Sequence, residues 1–363
     1  MTTPVEISWF SALCDDDYEF LGVPNPALAS SWDHCRDIVT AADRNGFDNV
    51  LLPSGYTLGI DSTAFAAAIA THTENINLLL AVRMGEMWLP QLARQLASID
   101  QFANGRLTVN IISSDIPGET LDSGPRYQRT REWMQTLRRL LDGESISIDG
   151  DFVHLELDPP HARTVDGRCP PFYFGGFSDA AKDVAAAEAD VFLTWPDKVA
   201  SVGATVTEMR DRAAGYNRDI LCGLRAHVIV RDTETEARAT AERLVSQLDA
   251  DTGDAIRNRS LDAASVGVAR QAQLRDEASD DGYAEDHLWT GVGRARSGAG
   301  AAIVGDPDQV LAKLQAYREV GVDAFILSGY THRAECDLFA EHVLHRIDHA
   351  PLKPRWQHSP ATA

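Results

Sequence analysis

The sequence Ile76-Asn77-Leu78-Leu79-Leu80-Ala81-Val82 predicts a buried β-strand, and the segments that follow it decide the fold. A short apolar run of this kind is typical of a strand covered on both faces. The chain then leaves through Arg83–Glu86, continues in a helical pattern over Leu89–Phe102 and turns at Asn104-Gly105 into a further strand, Arg106–Ile112. This order predicts parallel strands joined by a helix.

The same alternation extends along the chain in both directions. We predict six more strands, each separated from the next by at least one helix: Val5–Phe10, Asp48–Leu52, Phe172–Phe174, Val191–Thr194, Gly223–Val230 and Ala324–Leu327. Eight strands alternating with helices predict a (β/α)8 TIM barrel, formed as a single domain by residues 1–363. A doubly wound sheet is less favoured, because it usually has fewer strands and no G-x-G-x-x-G follows the first one.

Two segments interrupt the alternation. A long helix over Tyr127–Leu141 leads into a small predicted hairpin, formed by Ser145–Ile148 and Phe152–Leu157. Asp249–His287 is polar, charged and poorly periodic, and it is too long for an ordinary connection in a compact domain. We therefore predict that it is an insertion that acts as a mobile lid.

Composition excludes several classes of function. The chain carries 54 acidic residues against 33 lysines and arginines, a formal net charge of −21, which argues against a nucleic-acid-binding face. No apolar run reaches the length of a membrane span, and Met1–Glu6 has no signal-peptide pattern, so we expect a soluble, cytoplasmic protein. The five cysteines are scattered and no zinc-protease motif is present, so no metal site is expected. Asp15–Asp17 is interpreted as a solvated acidic loop rather than a cation site.

A glycine-rich stretch, Trp289–Gly300, carries two arginines in this acidic chain. Glycines allow a ligand to approach the backbone closely, and Arg294 and Arg296 could bind an oxyanion by charge-assisted hydrogen bonds. A flexible loop with solvated arginines is the alternative that the stretch alone leaves open.

In a barrel, the loops that follow the strands build the active site. Arg225 and His227 share one face of a strand, where they could serve a ligand or form a structural Arg–Asp pair beside a satisfied histidine. Both precede the apparent end of that strand, so it must bend or stop early for them to reach the mouth. Gly175-Gly176-Phe177-Ser178 joins a strand to a helix, where it could cradle a phosphate or simply cap the helix.

These motifs, taken together, resemble the bacterial luciferase-like flavin monooxygenases, and within them the alkanesulfonate monooxygenases. The resemblance runs from about Ile7 to about Ile347. The segments that carry it include Arg94–Asp100, Asn104–Arg106, Tyr173–Gly176, Leu193–Trp195, Arg225–Arg231, Gly291–Gly293, Arg296–Gly300 and Leu327–Tyr330.

The resemblance implies a barrel that binds reduced FMN supplied by a separate NAD(P)H-dependent reductase. It implies that the enzyme uses O2 to cleave the carbon–sulfur bond of a sulfonate, giving sulfite and an aldehyde, and that the protein forms a homodimer or tetramer. A lid closes through an arginine, which maps to Arg296. The active-site residues carried over by motif are Trp195, Arg225, His227, Arg296 and Tyr330. The implied flavin contacts are Tyr127, Gly175, Gly176 and Ser178 near the phosphate, and Ser113 or Ser114 near the ring.

Some segments depart from the family pattern. The family often has a cysteine in the loop Pro53–Asp61, where this chain has none, and Ser113–Glu119 also differs from the common alkanesulfonate form. The additional polar groups suggest a hydroxylated substrate, such as a sulfosugar like sulfoquinovose. Three other functions stay open: a monooxygenase of a neutral substrate, a deazaflavin (F420)-dependent oxidoreductase and a non-catalytic flavin-binding protein. A neutral substrate has no need of two fixed cations.

Overall fold

The computed structural model of the chain describes residues 3–57, 59–258, 265–296 and 298–352. Eight parallel strands close into a barrel in the order β9-β13-β1-β2-β3-β4-β7-β8, with β8 paired back to β9. Their bounds are β1 Glu6–Phe10, β2 Asn49–Leu52, β3 Asn77–Arg83, β4 Leu107–Ile112, β7 Phe172–Gly175, β8 Val191–Thr194, β9 Leu221–Val230 and β13 Ala324–Ser328. The predicted (β/α)8 barrel is confirmed, and its strands are the eight predicted ones.

Helices surround the barrel, and local sequence explains where several of them begin. Ser31 caps α1 and Ser178 caps α5, each accepting a hydrogen bond from a backbone N–H three residues on. The helices are α1 Trp32–Arg44, α2 Ser62–Ile69, α3 Leu89–Phe102, α4 Ser123–Asp142, α5 Asp179–Glu188, α6 Val199–Gly215, α7 Glu234–Val245, α8 Ala250–Asn258, α9 Val266–Asp276, α10 Pro307–Glu319 and α11 His332–His342.

Strand β3 shows how the apolar sequence forms two layers. All seven of its residues are buried. Leu78 and Leu80 pack in the layer between strands and helices, whereas Leu79 and Ala81 belong to the inner cluster. Successive side chains of a strand point to opposite faces, so a strand covered on both faces must be apolar throughout. The predicted hairpin is also present, as β5 Ile146–Asp149 paired antiparallel with β6 His154–Leu157.

Strand β9 continues beyond the barrel, where it pairs with a strand that sequence reasoning missed. Its pairing with β13 ends at His227, while His227–Val230 pairs in parallel with β12, Ala302–Gly305. Strands β11 Leu288–Trp289 and β10 Tyr283–Glu285 extend this small sheet. A four-residue run beside a glycine-rich stretch has too little periodicity to be recognised as a strand. The barrel part of β9 therefore ends near Arg225 and His227, which brings both residues to the mouth.

The segment predicted to be an aperiodic lid, Asp249–His287, contains regular structure. It forms α8, α9 and β10, and residues 259–264 lie outside the described part of the chain. Helix α8 packs closely on the arginine-bearing stretch, because a Cβ on Gly253 would lie 2.5 Å from the Arg294 carbonyl oxygen. The poor periodicity of this segment gave no sign of these elements, and lid motion stays a prediction. Among the helices within the described ranges, none is long and apolar enough to cross a lipid bilayer.

A buried carboxyl group lies inside the barrel at the end opposite the strand exits. Glu6 is fully buried, and it accepts hydrogen bonds from Tyr173 Oη at 3.0 Å, Ser8 Oγ at 3.2 Å and the backbone N–H of Leu352 at 3.0 Å. Burial raises the pKa of Glu6 to about 7, although these donors oppose the rise. The folded protein therefore binds a proton at Glu6 more tightly than the unfolded chain does.

We expect Glu6→Gln to remove a pH dependence of stability. A group whose folded pKa is raised contributes stability that is present below its unfolded pKa and is lost as pH rises through the folded value. Wild type should therefore lose about 3 kcal/mol of unfolding free energy between pH 4.5 and pH 8, and Glu6→Gln should not. Urea unfolding at several pH values measures this, with Glu144→Gln, an exposed carboxyl, as the control. Parallel curves for wild type and Glu6→Gln would contradict the expectation.

Candidate active site

A cavity of about 540 Å³ opens at the carboxyl ends of the barrel strands. The predicted residues that line it are Trp195, Arg225, Arg296, Ser113, Ser114, Tyr127, Gly175, Gly176 and Ser178. His227 and Tyr330 do not line it; they are buried behind its wall. The exits of strands far apart in sequence therefore meet in one concave site, as the barrel architecture requires.

Within the described ranges, Arg225 is a buried cation without a carboxylate partner. Its guanidinium donates to the carbonyl oxygen of Ala226 at 2.6 Å and to Ser328 Oγ at 2.8 Å, and it lies 4.3 Å from the centre of the Phe10 ring. Burial, with Arg296 close by, lowers the pKa of Arg225 to about 9. Among the described residues it forms no ion pair, so a structural Arg–Asp pair is not what holds it.

Arg296 reaches the same ring from the glycine-rich stretch. Its guanidinium lies 5.6 Å from the Phe10 centroid, donates to Tyr330 Oη at 3.3 Å and comes within 3.8 Å of a carboxylate oxygen of Asp15. Burial opposes its charge, yet Tyr330, Cys14 and Asp15 together raise the pKa of Arg296. Two guanidinium groups thus lie against one aromatic ring, with the carboxylate of Asp15 beside Arg296.

The stretch that carries Arg296 is not a loose loop. Gly291–Arg294 forms a 3₁₀ turn, and the backbone N–H of Gly293 donates to the carbonyl oxygen of Gly300 at 2.8 Å. Arg294 is exposed on this turn, whereas Arg296 is largely covered. Ser297 lies outside the described residues. The alternative of solvated arginines therefore applies to Arg294 and not to Arg296.

Behind the cavity wall, Tyr330 contacts Arg296, and His227 is linked to Arg225 through Ser328. Ser328 Oγ hydrogen-bonds both Arg225 and Nδ1 of His227, the latter at 2.9 Å, and the His227 ring stacks on Tyr330 with centroids 5.4 Å apart. Burial, followed by the two nearby arginines, lowers the pKa of His227 well below its usual value. His227 is therefore neutral at physiological pH.

The loop after β7 forms the opposite part of the cavity. Ser178 Oγ accepts a hydrogen bond from Ala181 N–H at 3.2 Å, so it caps α5 while it lines the cavity. A Cβ on Gly176 would lie 2.4 Å from the Cβ of Ala181 and 3.7 Å from Tyr127 Oη. Only glycine permits this close approach, which leaves a helix N-terminus and a tyrosine hydroxyl at one end of the cavity.

Sequence reasoning missed Arg126 near this end. Arg126 lines the cavity, donates to Asp115 at 2.8 Å and has a buried Nε with no hydrogen-bond partner in the described ranges. The prediction began α4 at Tyr127, but the helix begins at Ser123, which places Arg126 in its first turns. Ser114 Oγ accepts from Arg83 Nε at 2.9 Å, and Ser113 Oγ bonds Thr130 Oγ1 at 2.6 Å.

The acidic loop after β1 also differs from expectation. Asp17 is completely buried, and its carboxylate accepts from both His332 and His34. Asp16 accepts from the backbone N–H of Ser30 at 2.8 Å. The interpretation of Asp15–Asp17 as a solvated loop was wrong, because composition does not reveal which distant donors will meet a carboxylate.

Comparisons with known proteins agree with this geometry. The family model of luciferase-like monooxygenases matches residues 20–324. A sulfoquinovose monooxygenase of Novosphingobium aromaticivorans is 59% identical over 96% of this chain and 98% of that protein. A second, of Agrobacterium fabrum, is 47% identical over 93% of this chain and 89% of that protein.

One solved structure shows the same fold at low identity. EDTA monooxygenase (EmoA) from Chelativorans sp. BNC1 superposes with a TM-score of 0.77 at 17% identity, covering 95% of this chain and 93% of that one. The family model covers most of the chain, and the two curated relatives match it almost end to end. The chain belongs to the luciferase-like monooxygenase family.

Proposed function

We propose that this protein is a flavin-dependent monooxygenase that cleaves the carbon–sulfur bond of an organosulfonate and releases sulfite and an aldehyde. The observation that carries the proposal is the buried pair of guanidinium groups on Phe10. In the part of the chain that the structure describes, Arg225 has only neutral hydrogen-bond partners, and Arg296 approaches no carboxylate other than Asp15. The site therefore holds an excess positive charge that is shielded from water.

An excess buried charge is costly unless a counter-charge arrives. A sulfonate is a permanent anion with three oxygens, and each guanidinium can donate to it by charge-assisted hydrogen bonds. A neutral substrate would leave the positive charge of Arg225 uncompensated. This difference favours a sulfonate over the neutral-substrate and deazaflavin alternatives that the fold by itself leaves open.

The substrate class that we favour is a sulfosugar such as sulfoquinovose. Two close relatives carry the name sulfoquinovose monooxygenase. The cavity is also lined by polar groups that can bind hydroxyls, among them Ser54, Thr57, Asn110 and Asp115. A plain alkyl chain would leave such groups without partners, which costs binding energy.

The residues at the end of the cavity where α5 begins fit the phosphate of FMN. Gly175 and Gly176 pack against Leu193 and Ala181 more closely than a residue with a side chain could. Ser178 lies at the helix N-terminus, and Arg126 offers a buried N–H that has no acceptor among the described residues. Tyr127 lines the same end, and Ser113 and Ser114 lie nearer the barrel. When bound in its reduced form, FMN would supply the two electrons needed to activate O2.

The chain's own groups then bind the substrate and exclude water. Arg225 and Arg296 hold the sulfonate, Trp195 and Phe10 provide apolar walls, and Tyr330 orients Arg296. Helix α9 lies over this wall, since a Cβ on Gly267 would come within 2.7 Å of the Trp195 ring. A lid formed by α8 and α9 would keep a reactive oxygen species away from water. The proposal also includes delivery of reduced FMN by a separate reductase, a homodimer or tetramer, and a cytoplasmic location.

A sulfite-release assay with reduced FMN tests the proposal. The protein is mixed with an NAD(P)H-dependent FMN reductase and air, and sulfoquinovose is compared with octanesulfonate. We expect sulfite that depends on O2 and on reduced FMN, with sulfoquinovose the better substrate. No sulfite from any sulfonate would refute the reaction, whereas equal or better turnover of octanesulfonate would refute only the sulfosugar.

Arg126→Ala tests the phosphate site. We expect FMN affinity to fall roughly 10- to 100-fold, because a charge-assisted hydrogen bond contributes about 1.5–3 kcal/mol. Flavin fluorescence titration measures the affinity, and riboflavin, which lacks the phosphate, should bind both proteins equally. Arg131→Ala is the matched control, since Arg131 lies on the same helix and pairs with Glu188 outside the cavity. Unchanged FMN affinity in Arg126→Ala would place the phosphate elsewhere.

A further inference from the structure

A buried carboxylate stands behind the cavity wall with two histidines bonded to it. Asp17 Oδ1 accepts from His332 Nδ1 at 2.7 Å and from the backbone N–H of Tyr18 at 2.9 Å. Its Oδ2 accepts from the backbone N–H of His332 at 2.8 Å and from His34 Nε2 at 3.1 Å. Burial would raise the pKa of Asp17, but His332 and His34 together hold it well below its usual range. Asp17 therefore stays ionised.

This arrangement fixes the tautomer of His332. An ionised carboxylate only accepts hydrogen bonds, so His332 Nδ1 must carry a hydrogen. In the neutral ring the lone pair then lies on Nε2, which is buried and has no hydrogen-bond partner among the described residues. The ring stacks on Phe10 with centroids 5.7 Å apart and meets the Tyr330 ring edge-on at 5.1 Å, so it adjoins the aromatic ring that both guanidinium groups contact.

The reaction proposed above needs a proton acceptor. In that reaction one oxygen atom of O2 would enter at the sulfonate-bearing carbon to give an α-hydroxysulfonate, and the other would leave as water with the two electrons that bound reduced FMN would supply. Collapse of the α-hydroxysulfonate breaks its O–H bond and forms the aldehyde C=O. The C–S bond breaks with its electron pair on sulfur, giving sulfite as a dianion, and one proton is left over. Arg225 and Arg296 can stabilise the added charge on sulfite, but neither is a base.

We propose, resting on that reaction, that His332 accepts this proton at Nε2 and that Asp17 is the positioning residue that makes Nε2 the basic atom. A carboxylate behind an imidazole orients the ring and stabilises the imidazolium that forms. His227 is the weaker candidate, because it bonds Ser328 rather than a carboxylate and lies beside two cations.

The titratable and charged groups near His332 are Asp17 after β1, His34 on α1, Glu335 on α11, Tyr330 after β13, His227 and Arg225 on β9, and Arg296.

The test combines kinetics with histidine NMR. Asp17→Asn should lower kcat for sulfite release about 100-fold, keep KM within about 3-fold and shift the acidic limb of the pH–kcat profile. His332→Gln should lower kcat similarly while it keeps FMN bound. In the wild-type protein without substrate, ¹⁵N NMR of the histidine rings should show neutral His332 as the Nδ1–H tautomer. This assignment does not depend on activity, and it remains decisive if Asp17→Asn fails to fold.

Asp48→Asn is the matched control. Asp48 is also buried and accepts from a histidine, His349, at 3.0 Å and from the backbone N–H of Ile7 at 2.8 Å, but it lies at the opposite end of the barrel. Asp48→Asn should lower the free energy of unfolding and leave kcat and the pH–kcat profile for sulfite release unchanged.

Three results would overturn the inference: an Nε2–H tautomer, an unaltered pH profile with near-normal kcat in Asp17→Asn, or near-normal kcat in His332→Gln. If any of those results is obtained while wild type releases sulfite, the proton-acceptor role is refuted and the proposed function is not. Absence of sulfite from wild type would refute the reaction, and with it the proton-acceptor role.

Discussion

Replacement of Arg225 by methionine is expected to lower kcat/KM for a sulfonate roughly 1,000-fold and to leave the folded protein as stable as wild type or more so. Loss of one partner from a buried charged pair costs about 2–5 kcal/mol of binding, and each 1.4 kcal/mol is tenfold. None of the described carboxylates pairs with Arg225, so its replacement should weaken sulfonate binding far more than it alters the free energy of unfolding.

The stability result separates a ligand-binding cation from a structural one. Replacing an uncompensated buried charge with an apolar side chain of similar length removes a desolvation cost. Arg231 provides the contrast, since it binds the largely buried carboxylate of Glu335 through both guanidinium nitrogens, with distances of 2.5 and 3.0 Å. Arg231→Met leaves that carboxylate unpaired and should destabilise the protein by about 3–5 kcal/mol.

Urea unfolding and sulfite-release kinetics on the same preparations measure both effects of the Arg225 change. An Arg225→Met protein that is markedly less stable than wild type, yet still turns over the sulfonate, would show that Arg225 is structural. FMN titration of each variant confirms that the flavin site is intact.

The barrel was predictable because its signal is local and repeated. Leu78–Val82 is apolar at every position, since both faces of a parallel strand are covered, and short, mainly apolar runs recur between the helical segments. The exit rule then predicted that Trp195, Arg225 and Gly176 would meet. In contrast, Ala302–Gly305 gave no such signal, because its strand character comes from pairing with the far end of β9.

The state of each charged group in the site was not predictable from composition. Asp17 stands beside Asp15 and Asp16 in the sequence, yet it is buried because His332, more than 300 residues later, donates to it. The sequence around Arg225 was equally compatible with an ion pair between its guanidinium and a carboxylate. Which partner a side chain finds depends on strand register and loop path, and neither is encoded by the neighbouring residues. The family resemblance supplied residue roles but not these partners.

The second large effect is expected for Arg296. Arg296→Ala should lower kcat/KM for a sulfonate about 100- to 1,000-fold and keep FMN affinity within about 3-fold, because its guanidinium adjoins Tyr330 and Phe10 rather than the α5 end of the cavity. Asp15 and Tyr330 also lose a cationic neighbour, so the substrate anion would then meet the Asp15 carboxylate without the Arg296 charge beside it. Pre-steady-state sulfite release and FMN titration measure the two quantities separately.

Arg294→Ala is the matched control, because Arg294 belongs to the same glycine-rich stretch and its side chain is exposed. The stretch is held by the two helices of the predicted lid. Arg275 Nη1 on α9 donates to the Gly293 carbonyl oxygen at 2.9 Å, and Gly300 N–H donates to Gln271 Oε1, also on α9, at 2.9 Å. Movement of the lid would therefore move Arg296 toward or away from the anion. Loss of activity in both variants would mean that the stretch needs general positive charge, whereas normal activity in Arg296→Ala would leave Arg225 as the anion-binding group and exclude lid closure through Arg296.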